Sequence, residues 1–249
     1  MNIKQYLERI NYIGSIDLSY EVLSTLQYMH LMTVPFENLD IHNNTKIDLT
    51  NLYDKIVTRK RGGFCYELNG LFYQLLKEIG FTVKMVSARV YDGKKEYSQE
   101  FDHLALVVTI NGDHYLTDVG FGEFSIYPIK IVLNSNNIDP AGIFRIETFN
   151  ENYQSVKKKK QDGEFVPEYI FSETQREIED FYPMCNYHQT NSASHFMQKS
   201  ICSLPTKNGR ITLTGNTLKI TENGKVKVRQ LKNDQEVQQI LYNYFGIKL

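Results

Sequence analysis

A cysteine at the start of a predicted helix is the residue in this sequence best suited to chemistry. Cys65 follows the turn-forming pair Gly62-Gly63, and apolar residues then recur at helical spacing up to a stop at Gly80. A thiol at a helix start faces unpaired backbone N–H groups and the positive end of the helix dipole, and both favour the thiolate. The sequence therefore predicts a nucleophile at Cys65.

A predicted β-hairpin supplies a base and an orienting carboxylate for that thiol. Asn111-Gly112 separates two apolar runs and indicates a two-residue turn. In that register Ala105 lies opposite Asp118, so His103 and Asp118 become diagonal neighbours on one face, about 7–8 Å apart at Cα. A three-residue loop would place them on opposite faces. The tight turn thus predicts a His–Asp pair of the kind that activates a nucleophile.

Other interpretations of these residues stay open. His103 and Asp118 could satisfy each other structurally, because both faces of the hairpin are apolar. Cysteine, histidine and aspartate also bind zinc, but no close CxxC or HxxxH spacing is present, so we expect no metal. Gly120 and Gly122 follow Asp118 directly, and they predict a backbone that approaches a ligand closely and offers N–H groups to an anion.

Composition excludes several classes of protein. The chain has 249 residues and a formal net charge of -1, so no basic excess indicates nucleic acid or an anionic membrane as a partner. The three cysteines are far apart and form no disulfide framework, which favours the cytoplasm. The amphipathic N-terminus is unlike a signal peptide, and no apolar stretch approaches the roughly 20 residues of a membrane span.

The order of the predicted elements is helices, then mostly antiparallel strands, then a last helix. Helical patterns precede residue 80, a short helix is expected around 174–182, and a final helix around 234–245. Ser19 and Thr50 are the expected caps of the second and third helices. This order predicts an α+β fold rather than a βαβ fold. The strands are expected at 82–91, 103–110, 114–119, 143–149, 153–159, 164–171, 200–204, 209–214, 217–222 and 226–231.

These motifs and their order resemble the arylamine N-acetyltransferase family. The resemblance covers essentially the whole chain, and the absence of a long insertion before the last helix is typical of the compact bacterial members. It is carried by Pro35-Phe36-Glu37-Asn38-Leu39, Arg61-Gly62-Gly63-Phe64-Cys65, His103, Asp118-Val119-Gly120-Phe121-Gly122, Asp180-Phe181, Asn186, Ser194-His195-Phe196 and Gly209-Arg210.

The resemblance implies three regions and a triad arranged as in cysteine proteases. Residues 1–81 would form an N-terminal helical bundle that carries Cys65. Residues 82–190 would form an antiparallel β-barrel-like domain that carries His103 and Asp118, and residues 191–249 a C-terminal α/β lid.

The implied reaction is ping-pong acetyl transfer through an acetyl-cysteine thioester. Acetyl-CoA would be the donor, and an arylamine, arylhydroxylamine or hydrazine the acceptor, in a role such as xenobiotic metabolism. The family implies no metal, and a monomer or weak homodimer is expected.

The resemblance also assigns supporting residues. The backbone N–H of Tyr66 would stabilise the oxyanion. Arg61 and Glu37, costly to bury alone, are expected to interact and hold the Gly62-Gly63 turn. Candidates for lining the acceptor pocket are Phe36, Val90, Phe121 and Phe124. Candidates for contacting CoA are Gly120, Gly122 and Ser194.

Three alternative functions share the same residues. An amide synthase of aromatic polyketide biosynthesis uses the same scaffold. A hydrolase uses a Cys-His-Asp triad but admits water to the acyl-enzyme. A binding module could retain the fold, although an intact set of Cys65, His103 and Asp118 argues against it.

Overall fold

The N-terminal part of the chain is helical and packs around one central helix. The computed structural model describes residues 1–94 and 96–249. Cys65–Ile79, the central helix α4, buries Leu68, Leu71 and Leu75 completely, and Gly80 ends it with a φ of +112°. The helices are α1 (Ile3–Arg9), α2 (Tyr20–Thr33), α3 (Leu39–His42), α4 (Cys65–Ile79), α5 (Tyr182–Thr190), α6 (His195–Gln198) and α7 (Asp234–Phe245), with a π-helical turn at Asp54–Thr58 and a 3₁₀ turn at Ile178–Phe181.

The middle of the chain is one antiparallel sheet of eight strands in the order β5-β4-β3-β2-β9-β8-β7-β6. At its two edges the amide of Asn137 exchanges hydrogen bonds with the backbone of Lys130, so the sheet is nearly closed into a barrel. Its strands are β2 (Thr82–Val90), β3 (His103–Ile110), β4 (Asp113–Thr117), β5 (Ile129–Lys130), β6 (Asn136–Asp139), β7 (Gly142–Thr148), β8 (Gln154–Lys159) and β9 (Phe165–Phe171).

The tight hairpin between β3 and β4 is confirmed. Asn111 and Gly112 form the two-residue loop with φ of +52° and +85°, and Ile110 pairs with Asp113. Since side chains alternate along a strand, one face of β3 packs on α4 and the other fills the barrel. The register therefore places His103 on the side of β3 that faces the barrel interior, together with Ala105.

A second sheet joins the two ends of the chain. Its order is β1-β10-β11-β12-β13, and α7 covers one face through a third small core. The first strand, β1 (Phe36–Glu37), comes from the helical part and pairs with β10 (Ile201–Thr206). The remaining strands are β11 (Gly209–Thr214), β12 (Thr217–Glu222) and β13 (Lys225–Gln230). Two of the three predicted regions thus share a sheet, and the division at 81 and 190 stays a prediction.

The predicted elements differ from the structure in a few places. The short helix expected around 174–182 is the 3₁₀ turn followed by α5, which runs on to Thr190. Thr50 does not cap a helix, because its hydroxyl and N–H both donate to the Asp48 carboxylate. The short strands β1, β5 and β6 were not predicted. Among the described residues, no helix is long and apolar enough to cross a membrane.

Candidate active site

The N-terminus of α4 holds Cys65 in a buried position. The side chain of Glu67 reaches back and accepts a hydrogen bond from the N–H of Phe64 at 3.1 Å, which fixes the start of the helix. Cys65 is only 3% exposed, yet it lines a large cavity.

The glycine turn before Cys65 packs closely against the neighbouring backbone. A Cβ on Gly62 would stand 1.9 Å from the carbonyl oxygen of Pro35, so no larger residue fits there. Next to it, the N–H of Glu37 donates to the carbonyl of Gly63 at 2.8 Å. Strand β1 is therefore held between the Gly62-Gly63 turn on one side and β10 on the other.

A buried ionic cluster lies beneath this turn. The Arg61 guanidinium contacts Glu37 at 2.8 Å and Asp40 at 2.9 Å, which confirms the expected Arg61–Glu37 interaction. Lys55 bridges Asp40 and Glu67, each at 2.7 Å. Burial raises the pKa of Glu67 to about 7, against the opposing charge of Lys55. Mutually satisfied charges of this kind are costly to break singly, so the cluster fixes the approach to Cys65.

The predicted His103–Asp118 contact is present. The imidazole Nε2 of His103 lies 2.7 Å from Oδ2 of Asp118, and both residues are 2% exposed. The hydroxyl of Tyr169 donates to the same oxygen at 3.1 Å. Burial raises the pKa of Tyr169 well above its usual range, so the phenol keeps its proton.

The second oxygen of Asp118 is tied to α4. Its Oδ1 accepts from the Asn69 amide and from the Gly120 N–H, both at 2.8 Å. Asn69 lies one turn after Cys65, and its own oxygen accepts from the Val119 N–H at 2.8 Å. Sequence reasoning missed Asn69, although a polar residue four positions after Cys65 on a buried helix face was a usable signal.

The charge state of Cys65 differs from the expectation based on the helix terminus alone. Burial raises the pKa of the Cys65 thiol well above its usual range, and the Leu104 backbone hydrogen bond opposes this only in part. The nearby Asp102 carboxylate raises the pKa of Cys65 further. The helix terminus alone therefore does not favour the thiolate, and deprotonation of the thiol requires a nearby base.

One cavity of about 1180 Å³ connects Cys65 and His103 to the second sheet. Its apolar part contains all four residues predicted for an acceptor pocket. Sequence reasoning missed further members of this wall, because their chain positions give no sign that they converge. The apolar wall comprises the predicted Phe36, Val90, Phe121 and Phe124 together with Tyr28, Met32, Ile126, Tyr127 and Phe196.

The far part of the cavity is basic. Lys199, Lys207, Arg210 and Lys219 line it, together with hydroxyl groups of β10 to β12. Among the described residues, no carboxylate lies within ion-pair distance of these four side chains. Glu123 lines the same cavity and its charge acts on Arg210, but basic side chains outnumber carboxylates there, which favours a polyanionic ligand.

The three residues predicted to contact CoA differ in whether they line the cavity and in what their polar groups contact. Gly122 and Gly120 line the cavity, but the Gly120 N–H is engaged by Asp118. A Cβ on Gly120 would stand 2.8 Å from Cα of Cys65, so the close approach at Gly120 is to Cys65 rather than to a ligand. Ser194 is buried, where its hydroxyl contacts His188 at 3.0 Å, and its neighbour His195 lines the cavity instead.

A second histidine–carboxylate pair flanks Cys65. His188 Nε2 lies 3.2 Å from Oδ1 of Asp102, without the alignment of a hydrogen bond. Asp102 lines the cavity and directly follows Phe101, whose φ of +67° is unusual for an aromatic residue. The Tyr66 hydroxyl donates to the carbonyls of Phe101 and Asp102 and so holds this corner against α4.

Comparison with known proteins identifies the family of this chain. A family model described as N-acetyltransferase matches residues 19–249. The chain is 35% identical over 280 residues to the arylamine N-acetyltransferase NAT-3 of the Gallus gallus pineal gland, covering 100% of this chain and 95% of that protein. It is 33% identical over 275 residues to arylamine N-acetyltransferase 1 of Homo sapiens, with the same coverage.

Solved structures show the same fold. The arylamine N-acetyltransferase of M. tuberculosis superimposes with a TM-score of 0.90 at 30% identity, over 99% of this chain and 94% of that one. A Bacillus cereus relative, described as having a unique Cys-His-Glu catalytic triad, gives 0.91 at 29% identity over the full length of both chains. The Mycobacterium marinum enzyme in complex with CoA gives 0.88 at 30% identity, over 99% and 93%. The chain belongs to the arylamine N-acetyltransferase family.

Proposed function

We propose that Cys65, His103 and Asp118 are the catalytic triad of an acetyl-CoA:arylamine N-acetyltransferase. The observation that carries the proposal is a buried imidazole, fixed by Asp118, that shares a cavity with a helix-terminal thiol. Because Nε2 is engaged by Asp118, the other ring nitrogen, Nδ1, is the one available to the thiol.

In the first half-reaction His103 accepts the proton of Cys65. The sulfur attacks the acetyl carbonyl of acetyl-CoA, and the Tyr66 N–H at the helix start stabilises the oxyanion. The carbon–sulfur bond to CoA breaks, and His103 returns the proton so that CoA leaves as a thiol. Asp118 holds the imidazole in one tautomer and stabilises its charged form.

In the second half-reaction an arylamine, arylhydroxylamine or hydrazine attacks the acetyl-Cys65 thioester. His103 takes a proton from the attacking nitrogen and passes it to the departing sulfur, which restores the thiol. The apolar wall that includes Phe36, Val90, Phe121 and Phe124 suits a planar aromatic acceptor and limits the access of water.

The basic part of the cavity suits the phosphates of CoA. Lys207, Arg210 and Lys219 lie on the second sheet, while the thiol of Cys65 lies at the other end of the same cavity. Pantetheine would then run past Gly122, between the phosphates and the nucleophile. This assignment replaces Ser194, which is buried, by the lysines and arginine that line the cavity.

The three free cysteines support a reducing compartment, and we propose the cytoplasm. The proposed partners are acetyl-CoA, CoA and a small aromatic amine or hydrazine. The chain is proposed to act as a monomer or weak homodimer.

The direct test follows CoA release from acetyl-CoA with and without 4-methoxyaniline. We expect amine-dependent CoA release by the wild type, none by Cys65→Ala, and retained activity in Cys185→Ala, whose thiol is buried against Gln189 outside the cavity. Without amine, mass spectrometry of the peptide containing Cys65 should show one acetyl group. CoA release that is independent of amine would indicate the hydrolase instead and overturn the proposal.

A further inference from the structure

Arg210 joins the basic part of the cavity to the segment that follows Asp118. It lies in β11, and its Nη2 donates to the carbonyl oxygen of Gly122 at 2.8 Å. Its Nη1 donates to the hydroxyl of Ser203 in β10 at 3.0 Å. One guanidinium therefore ties the second sheet to the backbone next to the proposed triad.

The segment held by Arg210 is in contact with the catalytic base. The ring of Phe121 packs edge-on against the ring of His103, with centroids 5.1 Å apart, and against Tyr169 at 5.0 Å. Gly122 has a φ of +93°, and a Cβ there would meet nothing within 4 Å. The hydrogen bond from Arg210 therefore holds the Gly122 carbonyl at a position where Gly122 has no side chain to pack.

Arg210 has capacity for a further ligand. A guanidinium carries five N–H donors, and the two named bonds use only part of them. Among the described residues, no carboxylate forms an ion pair with Arg210 at the cavity wall, and Glu123, which lines the same cavity, acts on it only at longer range. A phosphate is a suitable partner, because its oxygens match the planar fork.

We propose that Arg210 is a positioning residue that pairs with a phosphate of CoA and, through Gly122 and Phe121, holds His103 in its productive place. The proposal rests on the proposed acetyl transfer. It adds that the donor's phosphates and the geometry of the base are coupled through one side chain, so Arg210 influences turnover even with donors that carry no phosphate.

The test compares acetyl-CoA with p-nitrophenyl acetate, an acetyl donor without phosphates. For Arg210→Gln we expect a raised KM for acetyl-CoA. We also expect kcat to fall about tenfold with both donors, because a small misplacement of a catalytic group lowers the reaction rate strongly. Arg210→Lys keeps the charge but loses the fork, so its kcat should fall with both donors while its KM for acetyl-CoA changes less. The matched control is Arg229→Gln on the exposed strand β13, which should leave both donors unaffected.

Two outcomes separate the proposals. If Arg210→Gln changes only the KM for acetyl-CoA and turns over p-nitrophenyl acetate at the wild-type rate, the positioning role is wrong while acetyl transfer stands. If the wild type transfers acetyl from neither donor to an amine, the proposed function itself fails. Should Arg210→Gln not fold, as judged by circular dichroism, Arg210→Lys carries the same kcat comparison.

Discussion

Two histidine–carboxylate pairs flank Cys65, and they are built differently. Asp118 receives hydrogen bonds at both carboxylate oxygens, and its histidine lines the cavity. In the other pair, His188 stacks on Tyr66 and contacts Asp102 only at 3.2 Å. A carboxylate held by several rigid donors can orient a base, whereas a loosely paired one mainly connects two packed elements.

The largest effect is expected at the orienting carboxylate. Asp118→Asn should lower kcat/KM for acetyl transfer by about 10³-fold or more, because the amide no longer fixes the tautomer of His103. Asp102→Asn is the matched change in the other pair. It should lower kcat/KM by less than about tenfold, since such a contact contributes about 0.5–1.5 kcal/mol. Equal losses in both variants would remove the distinction between the pairs.

A third buried histidine, His30, has no carboxylate within ion-pair distance in the part of the chain that the structure describes. The Nδ1 of His30 lies 2.7 Å from the hydroxyl of Tyr6, and burial, followed by the charge of Arg9, lowers the pKa of His30 to about 3. The folded pKa is below the unfolded one, so the unfolded state binds the proton and stability is lost as pH falls below about 6.5.

This pH dependence can be measured by urea unfolding between pH 6.5 and 5. We expect the wild type to lose about 2 kcal/mol over this range through His30, and His30→Gln to lose correspondingly less. His42→Gln replaces an exposed histidine and should keep the wild-type slope. Parallel slopes for wild type and His30→Gln would mean that His30 is not held neutral.

The donors around Asp118 can be removed one at a time. Tyr169→Phe deletes the hydroxyl that donates to Oδ2 and should lower kcat about tenfold, because hydrogen bonds to charged groups contribute about 1.5–3 kcal/mol. Tyr242→Phe, on the exposed side of α7, is the control and should not change kcat. An unchanged kcat in Tyr169→Phe would show that the remaining donors suffice.

The smallest catalytic effect is expected for the His188–Asp102 pair. His188→Gln should lower the free energy of unfolding by about 1–2 kcal/mol, because His188 packs between Tyr66 and Phe196 and contacts Ser194. Its kcat should change by less than about threefold. A large fall in kcat with unchanged stability would instead make His188 part of the catalytic machinery.

The His–Asp contact could be predicted from sequence because it depends on local rules. Asn111-Gly112 fixes the loop length, and the two-residue period of a strand then fixes which side chains share a face. Helix α4 was predictable for the same reason, since its apolar period and the glycine at its end are adjacent in the chain.

The basic part of the cavity and the pKa of Cys65 could not be predicted from such local rules. Lys199, Arg210 and Lys219 converge only through the pairing of β10, β11 and β12, and isolated cations in a sequence are usually solvated. The helix terminus predicts a nucleophile at Cys65, and this stays a prediction. Burial, which depends on the whole fold, reversed the expected direction of its pKa.

Strand β1 has a consequence for the order in which the protein can be made. Asn38 at its end bonds the backbone of Ile201, which lies 163 residues later in the chain. During synthesis the β1 edge leaves the ribosome long before β10 exists to pair with it, and unpaired strand edges promote aggregation. A chain terminated before β10 would leave this edge unpaired, so we expect such fragments to be substrates for chaperones and proteases.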